Sequence, residues 1–288
     1  MPFFRRPAKP TLYYCIDDFT DPWTKPETIV LQHGYARSSR FWYRWVPHLA
    51  RHYKVVRMDL RGHGGSPVEF DPATESTMEN YVDDITALLD ELDLGAVHYC
   101  GESFGGIIGM VLAADAPRRV KTLTLVASPV YQNAHAAYAA GFPTRQEALR
   151  TLGTPKWAQA IYGAPGFFPP DTDRGLRDWY VGEIGKCDAE MLCGLYALVS
   201  QANASGYLPR ISVPVLGLYP TSGSLTSAEQ ETLLTAGIRN FDLVHLPTSS
   251  HAILTLEPDT CVRHLLSFVG QGANGQSDEQ RQRPRPVA

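Results

Sequence analysis

Short apolar runs alternate with amphipathic, helix-like segments over most of the chain. This alternation predicts an α/β fold with a mostly parallel sheet flanked by helices. The run ETIVLQHG is almost continuously apolar, as expected for a strand that is covered on both faces. The predicted strands are 11–19, 27–34, 53–62, 96–103, 120–129, 213–220 and 241–247. The predicted helices are 39–52, 77–93, 104–117, 226–237 and 258–269.

The alternation stops after Pro129 and resumes near residue 208. Residues 130–207 are instead helical in propensity, interrupted by glycine and proline, and rich in aromatic residues. We therefore predict an α/β core and a helical cap inserted into it. The predicted core is 1–129 and 208–270, the cap is 130–207, and a polar tail, 271–288, is expected to be disordered.

Composition narrows the class of protein. The chain is 44% hydrophobic and 19% charged, with a net charge of −4, so it lacks the basic surface that nucleic acid or anionic lipid would attract. The longest apolar run, GIIGMVLAA, is far shorter than the roughly 20 residues of a membrane span. MPFFRRPAKP lacks the apolar region of a secretory signal, and the five cysteines form no CxxC pair. We expect a cytoplasmic protein that binds a small molecule, without nucleic acid or membrane partners; a homodimer stays open.

The segment GESFGG, residues 101–106, fits the pattern G-x-S-x-G with Ser103 at its centre. A predicted buried strand enters it and a helix of small residues leaves it, which is the strand–turn–helix arrangement of a nucleophile elbow. Such a turn exposes the serine hydroxyl at a helix N-terminus, where free N–H groups favour a developing anion. The pattern indicates a nucleophilic serine.

The order of elements, together with QHGYARSSRFW, DLRGHGGS, GESFGG and the late His251, resembles the α/β-hydrolase fold superfamily. The branch is similar to small capped esterases, enol-lactonases and C–C bond hydrolases. The resemblance implies Ser103 as nucleophile, His251 as base, and the backbone N–H groups of Tyr35 and Phe104 as the oxyanion hole. It implies no cofactor.

The acid of the resembled family has no counterpart at its usual position, because Gly223 stands where an aspartate is expected. A second position used by some members offers only Ser128 and Pro129. Three accounts stay open. In the first, a carboxylate from elsewhere in the chain reaches His251; Glu102, beside Ser103 in the sequence, is one candidate, and Asp242, Glu257 and Asp259 are others. In the second, a neutral acceptor orients the imidazole: Thr221, Ser222, Ser224 or a backbone carbonyl. In the third, hydrolysis is not the activity.

The leading hypothesis is a cofactor-free serine hydrolase that cleaves a small ester or lactone with an apolar part. We expect Arg37, Tyr131 and Trp157 to contribute to the substrate pocket. Alternatives are a C–C bond hydrolase on the same fold, a non-hydrolytic ligand sensor, and a cofactor-free lyase or oxygenase. His48 and His52 are spaced i,i+4, but no acidic third ligand stands nearby, so we expect no metal site.

Overall fold

A single eight-stranded sheet forms the centre of the molecule, with strand order β1-β2-β4-β3-β5-β6-β7-β8. The computed structural model describes residues 3–132, 136–221 and 227–281. β2 pairs antiparallel with β1 and β4, and every other neighbouring pair is parallel. The strands are β1 (Phe3–Phe4), β2 (Leu12–Asp17), β3 (Thr28–Gln32), β4 (Lys54–Met58), β5 (Val97–Glu102), β6 (Val120–Val126), β7 (Val215–Pro220) and β8 (Phe241–Leu246). The predicted fold class is confirmed.

Helices connect the parallel strands and cover the sheet. They are α1 (Val46–Leu49), α2 (Pro72–Glu75), α3 (Met78–Glu91), α4 (Phe104–Asp115), α5 (Arg145–Tyr162), α6 (Arg174–Ile184), α7 (Ala189–Val199), α8 (Ala228–Gly237), α9 (Ile253–Leu256) and α10 (Pro258–Arg281). Short 3₁₀ turns occupy Ser39–Trp42, Pro117–Arg119, Ala136–Ala139 and Leu208–Arg210. α3 starts where predicted, because the Thr77 side chain accepts a hydrogen bond from the Asn80 N–H at 3.2 Å. No described helix has both the length and the apolarity to cross a membrane.

Two predicted helices differ from the observed ones. Segment 39–52 is not one helix but the 3₁₀ turn Ser39–Trp42 followed by the short α1. Pro47 lies in the first turn of α1, where its missing N–H costs nothing, so the helix restarts there. At the other end, α10 extends to Arg281, beyond the predicted end at residue 269, and residues 282–288 lie outside the described residues. The chain has no proline between Pro258 and Pro284 that would interrupt this helix.

The segment between β6 and β7 contributes α5, α6 and α7, which we call the helical insertion (residues 136–199). α5 is kinked at Gly153, whose φ of 72° is accessible to glycine and strained for other residues. The insertion packs on the loop that follows β3. The Tyr35 hydroxyl donates to the Leu192 carbonyl at 2.9 Å, and the Phe41 ring lies 5.1 Å from that of Trp179.

Candidate active site

The turn between β5 and α4 places Ser103 in a strained conformation. Its φ of 51° and ψ of −119° lie in a region that non-glycine residues rarely adopt. The turn is this sharp because the first turn of α4 lies directly against the end of β3. A Cβ atom on Gly105 would stand 2.5 Å from the Gln32 carbonyl oxygen and 2.7 Å from that of His33. The arrangement is that of a nucleophile elbow.

The loop after β3 is tied to this elbow. The Gly34 N–H donates to Glu102 Oε2 at 3.1 Å, and a Cβ on Gly34 would lie 2.9 Å from Ser103 Cβ. Within the described part of the chain, the N–H groups of Tyr35 and Phe104 donate no hydrogen bond. Two unused backbone donors on either side of a serine are what an oxyanion hole requires.

His33 holds this loop in place. The Leu60 N–H donates to its Nε2 at 3.0 Å, so the proton is on Nδ1, which donates to the Gly34 carbonyl at 2.8 Å. Burial lowers the pKa of His33 to about 3; the hydrogen bond to the Gly34 carbonyl opposes this shift, and the Arg37 charge adds a smaller lowering. A neutral ring that is bonded on both sides is a structural group, not a proton carrier.

His251 lies in the loop between β8 and α9 and lines the same small cavity as Ser103. Burial, together with the charge of Arg37, lowers the pKa of His251 to about 3. The imidazole is therefore neutral at physiological pH. Its side chain is 13% exposed, and its Nε2 lies 3.6 Å from Glu102 Oε1. The described residues show no hydrogen bond between Ser103 and His251, a contact that often tightens only when substrate binds.

Glu102 is fully buried and points toward the loop after β3. Its Oε1 lies 3.2 Å from Arg37 Nη1 and has no hydrogen-bond partner. Burial raises the pKa of Glu102, while the Arg37 charge and the Gly34 N–H oppose that rise. Arg37 is itself buried and donates to the Tyr180 hydroxyl at 2.5 Å. The result is an Arg37–Glu102 pair with the His251 ring beside it.

The cavity above Ser103 is small, about 30 Å³, and residues of the helical insertion contribute to its lining. It is lined by Tyr35, Arg37, Ser103, Gln132, Tyr138, Arg145, Tyr162, Val199 and His251. Two cations therefore face the serine.

The chain can now be placed among known proteins. The family described as alpha/beta hydrolase fold matches residues 27–170. The chain belongs to this family. The Karrikin insensitive 2 receptor CA of Petunia hybrida is 31% identical to this α/β-hydrolase over 194 residues, 65% of this chain and 71% of that one. The putative carbamate hydrolase RutD of Agrobacterium fabrum is 26% identical over 245 residues, 84% and 92%.

A solved structure agrees with this placement. The enol-lactonase from Burkholderia xenovorans superposes on this α/β-hydrolase with a TM-score of 0.80 at 24% identity, covering 91% of this chain and 97% of that one. At that identity the match shows the fold alone. Taken with the family match and the hydrolase names among the relatives, the prediction of an enzyme of the hydrolase class is confirmed.

The expected acid position of this α/β-hydrolase, Gly223, lies outside the described residues, together with the neighbouring candidates Ser222 and Ser224. The second position is occupied by Ser128, which donates to the Gly101 carbonyl at 3.1 Å and so braces the elbow. In the described part of the chain, Glu102 alone among the carboxylates comes within ion-pair distance of His251.

The other acid candidates lie away from His251. Asp242 is exposed on β8, and Asp259 is exposed and lies 3.5 Å from His48. Glu257 accepts a hydrogen bond from Thr260 at the start of α10.

The three residues expected in the substrate pocket lie in different places. As far as the structure describes it, the cavity lining includes Arg37 but neither Tyr131 nor Trp157. Trp157 is fully buried and donates to the Tyr138 carbonyl at 2.9 Å, because its large ring fills the core of the insertion. Tyr131 forms an isolated bridge with Asn203.

Sequence reasoning missed Arg145, which lines the cavity beside Tyr138 and Tyr162. One signal could have found it: an arginine directly after the helix-starting Thr144, where the helix dipole disfavours a cation. The described residues contain no cluster of three or more His, Cys, Asp or Glu side chains that could hold a metal ion.

Proposed function

We propose that the protein is a serine hydrolase that cleaves the ester bond of a small carboxylic ester or lactone. The observation that carries this proposal is the strained Ser103 turn, with two unused backbone donors and a neutral His251 around one cavity. The relatives named as a carbamate hydrolase and as a methyl ester esterase support it at the level of reaction class.

The reaction follows from these groups. Ser103 Oγ attacks the carbonyl carbon while its proton passes to a ring nitrogen of His251. The N–H groups of Tyr35 and Phe104 donate to the oxyanion, and one such donor is worth roughly 3–4 kcal/mol in the barrier. The tetrahedral intermediate collapses as the C–O bond breaks, and His251 returns the proton to the leaving alkoxide. Water then attacks the acyl-enzyme while His251 accepts its proton. The bond between Ser103 Oγ and the acyl carbon breaks, and His251 returns the proton to Oγ, which releases the acid and restores Ser103.

Glu102 is the residue we propose beside the imidazole. Protonation of His251 is opposed by Arg37, and a carboxylate 3.6 Å away offsets part of that repulsion when the imidazolium forms. The helical insertion acts as the cap in this proposal, because it contributes Tyr138, Arg145 and Tyr162 to the wall over Ser103.

The test is the intact mass of the protein after incubation with a small fluorophosphonate, with Ser103→Ala and His251→Ala alongside. We expect one covalent adduct on the wild-type chain and none on either variant. Circular dichroism serves as the control that both variants are folded. A folded wild-type protein that forms no adduct while a small dye enters its cavity would overturn the proposal.

A ligand sensor is the second candidate, favoured by one observation. The relative with 31% identity carries the name of a receptor. The two functions are separated by turnover: a hydrolase releases acid continuously from a simple ester such as 4-nitrophenyl acetate, whereas a sensor binds ligand without sustained release.

A further inference from the structure

The first observation concerns where Arg145 stands. It is the first residue of α5, directly after Thr144, whose side chain accepts from the Glu147 N–H at 3.1 Å. A cation there works against the helix dipole, so the stability of α5 does not explain an arginine at this place. The residue is nevertheless only 8% exposed, and its side chain extends to the cavity above Ser103.

The second observation concerns what surrounds the guanidinium. Its central carbon lies 4.0 Å from the ring centre of Tyr196, 4.8 Å from that of Tyr138 and 5.2 Å from that of Tyr35. Arg145 Nε has no hydrogen-bond partner, and among the described side chains no carboxylate forms an ion pair with Arg145. Aromatic faces attract the cation, and a side-chain hydrogen bond links Arg145 to Tyr35, but the Nε donor is left without a partner.

The third observation is the charge balance of the cavity. Arg37 is paired with Glu102, and His251 is neutral, so these groups cancel. Arg145 is left as one surplus positive charge facing Ser103. A buried cation without an anion is costly, and the missing partner is most simply supplied by a ligand.

We propose that Arg145 binds a carboxylate of the substrate, so that the preferred ester or lactone carries a negative charge. This inference rests on the proposed cleavage of an ester at Ser103 and names its substrate class. Guanidinium donors match the two oxygens of a carboxylate, and such charge-assisted bonds are roughly twice as strong as neutral ones.

The experiment compares two esters of nearly equal shape, monomethyl succinate, which is anionic, and methyl succinamate, its neutral amide counterpart. We expect wild-type kcat/KM, followed by proton release, to favour the anion by about 10- to 100-fold. Arg145→Met should abolish that preference mainly by lowering kcat/KM for the anion, and Arg145→Lys should restore part of it. Arg150→Met is the matched control, because it removes the same charge from the exposed face of the same helix and should keep the preference.

A structural role of Arg145 gives a different result. If the arginine only clamps the tyrosine rings, Arg145→Met lowers the melting temperature and reduces kcat/KM equally for both esters, which overturns the inference. A wild-type protein that hydrolyses both equally well also overturns it.

Failure of the proposed function remains distinguishable. Calorimetric titration of both esters into Ser103→Ala measures binding without turnover. Binding that favours the anion and disappears with Arg145→Met upholds the carboxylate site even if the wild-type protein hydrolyses neither ester. Equal or absent binding of both refutes the site.

Discussion

Two buried arginine–carboxylate pairs show how the same chemistry serves different ends in this molecule. Arg61 holds Asp84 with two hydrogen bonds of 2.7 Å, from Nε and Nη2, and also reaches the backbone carbonyls of Glu75 and Asn80. Arg37 approaches Glu102 through one contact of 3.2 Å, and both Arg37 Nε and Glu102 Oε1 lack hydrogen-bond partners.

The two pairs differ in how many of their polar atoms are left without a hydrogen bond. The Arg61–Asp84 pair is bidentate and packed between the loop after β4 and α3, so it fixes one conformation. The Arg37–Glu102 pair leaves an oxygen that lies 3.6 Å from the His251 ring, and Arg37 lines the cavity. A buried ion pair with unpaired polar atoms lowers the stability of the fold. Because this pair lies beside Ser103, we infer that its unpaired atoms take part in the reaction.

The largest expected effect is on activity. Glu102→Gln keeps the shape and the acceptor for the Gly34 N–H but removes the charge beside His251. Loss of a triad carboxylate costs roughly 10⁴ in kcat, so we expect kcat/KM for 4-nitrophenyl acetate to fall by about 10²- to 10⁴-fold. Asp84→Asn, the same change in the other pair, should leave kcat within a few-fold at a temperature where it is folded. If Glu102→Gln retains full activity, the carboxylate is not part of the proton relay.

The second effect is on stability, and it concerns the Arg61–Asp84 pair. Asp84→Asn leaves Arg61 buried without its carboxylate and also removes the ion pair between Arg6 and Asp84, so the free energy of unfolding should fall by about 3–5 kcal/mol in urea titrations. Arg51→Ala breaks an exposed pair with Asp21 and serves as the baseline, with an expected loss of at most about 1 kcal/mol. A loss for Asp84→Asn no larger than this baseline would show that the bidentate pair does not stabilise the fold.

The fold could be predicted from the sequence because its signals are local and regular. β3 is buried at every position, as its unbroken apolar run predicts, and the capped α3 begins at Met78 after Thr77. The elbow was equally readable, since Gly105 is required where the backbone of α4 meets that of β3. These features depend on neighbours in the chain or on steric limits of the backbone.

The substrate side of the site could not be predicted in the same way. Arg145 reaches the cavity only because α5 packs over the loop after β3, a contact between residues 35 and 145 that no spacing encodes. Trp157 illustrates the opposite error, because an aromatic residue of the insertion is as suitable for its core as for a pocket. Whether such a residue lies in the core of the insertion or lines the cavity is decided by how the helices pack on one another.

The smallest expected effect is a change in pH dependence, and it isolates the charge of Arg37. Burial and the Arg37 cation hold the pKa of His251 near 3, so wild-type kcat/KM should stay flat from pH 7 down to about pH 4.5. In Arg37→Met the repulsion is gone and Glu102 is left facing the ring. The pKa of His251 must then rise, and the acid side of the profile should move upward by about one to two pH units. Arg37→Lys keeps a cation and should keep the flat profile. An unshifted profile in the Met variant would mean that Arg37 does not set the charge state of His251. The unpaired Nε donor of Arg37 would then serve substrate binding alone.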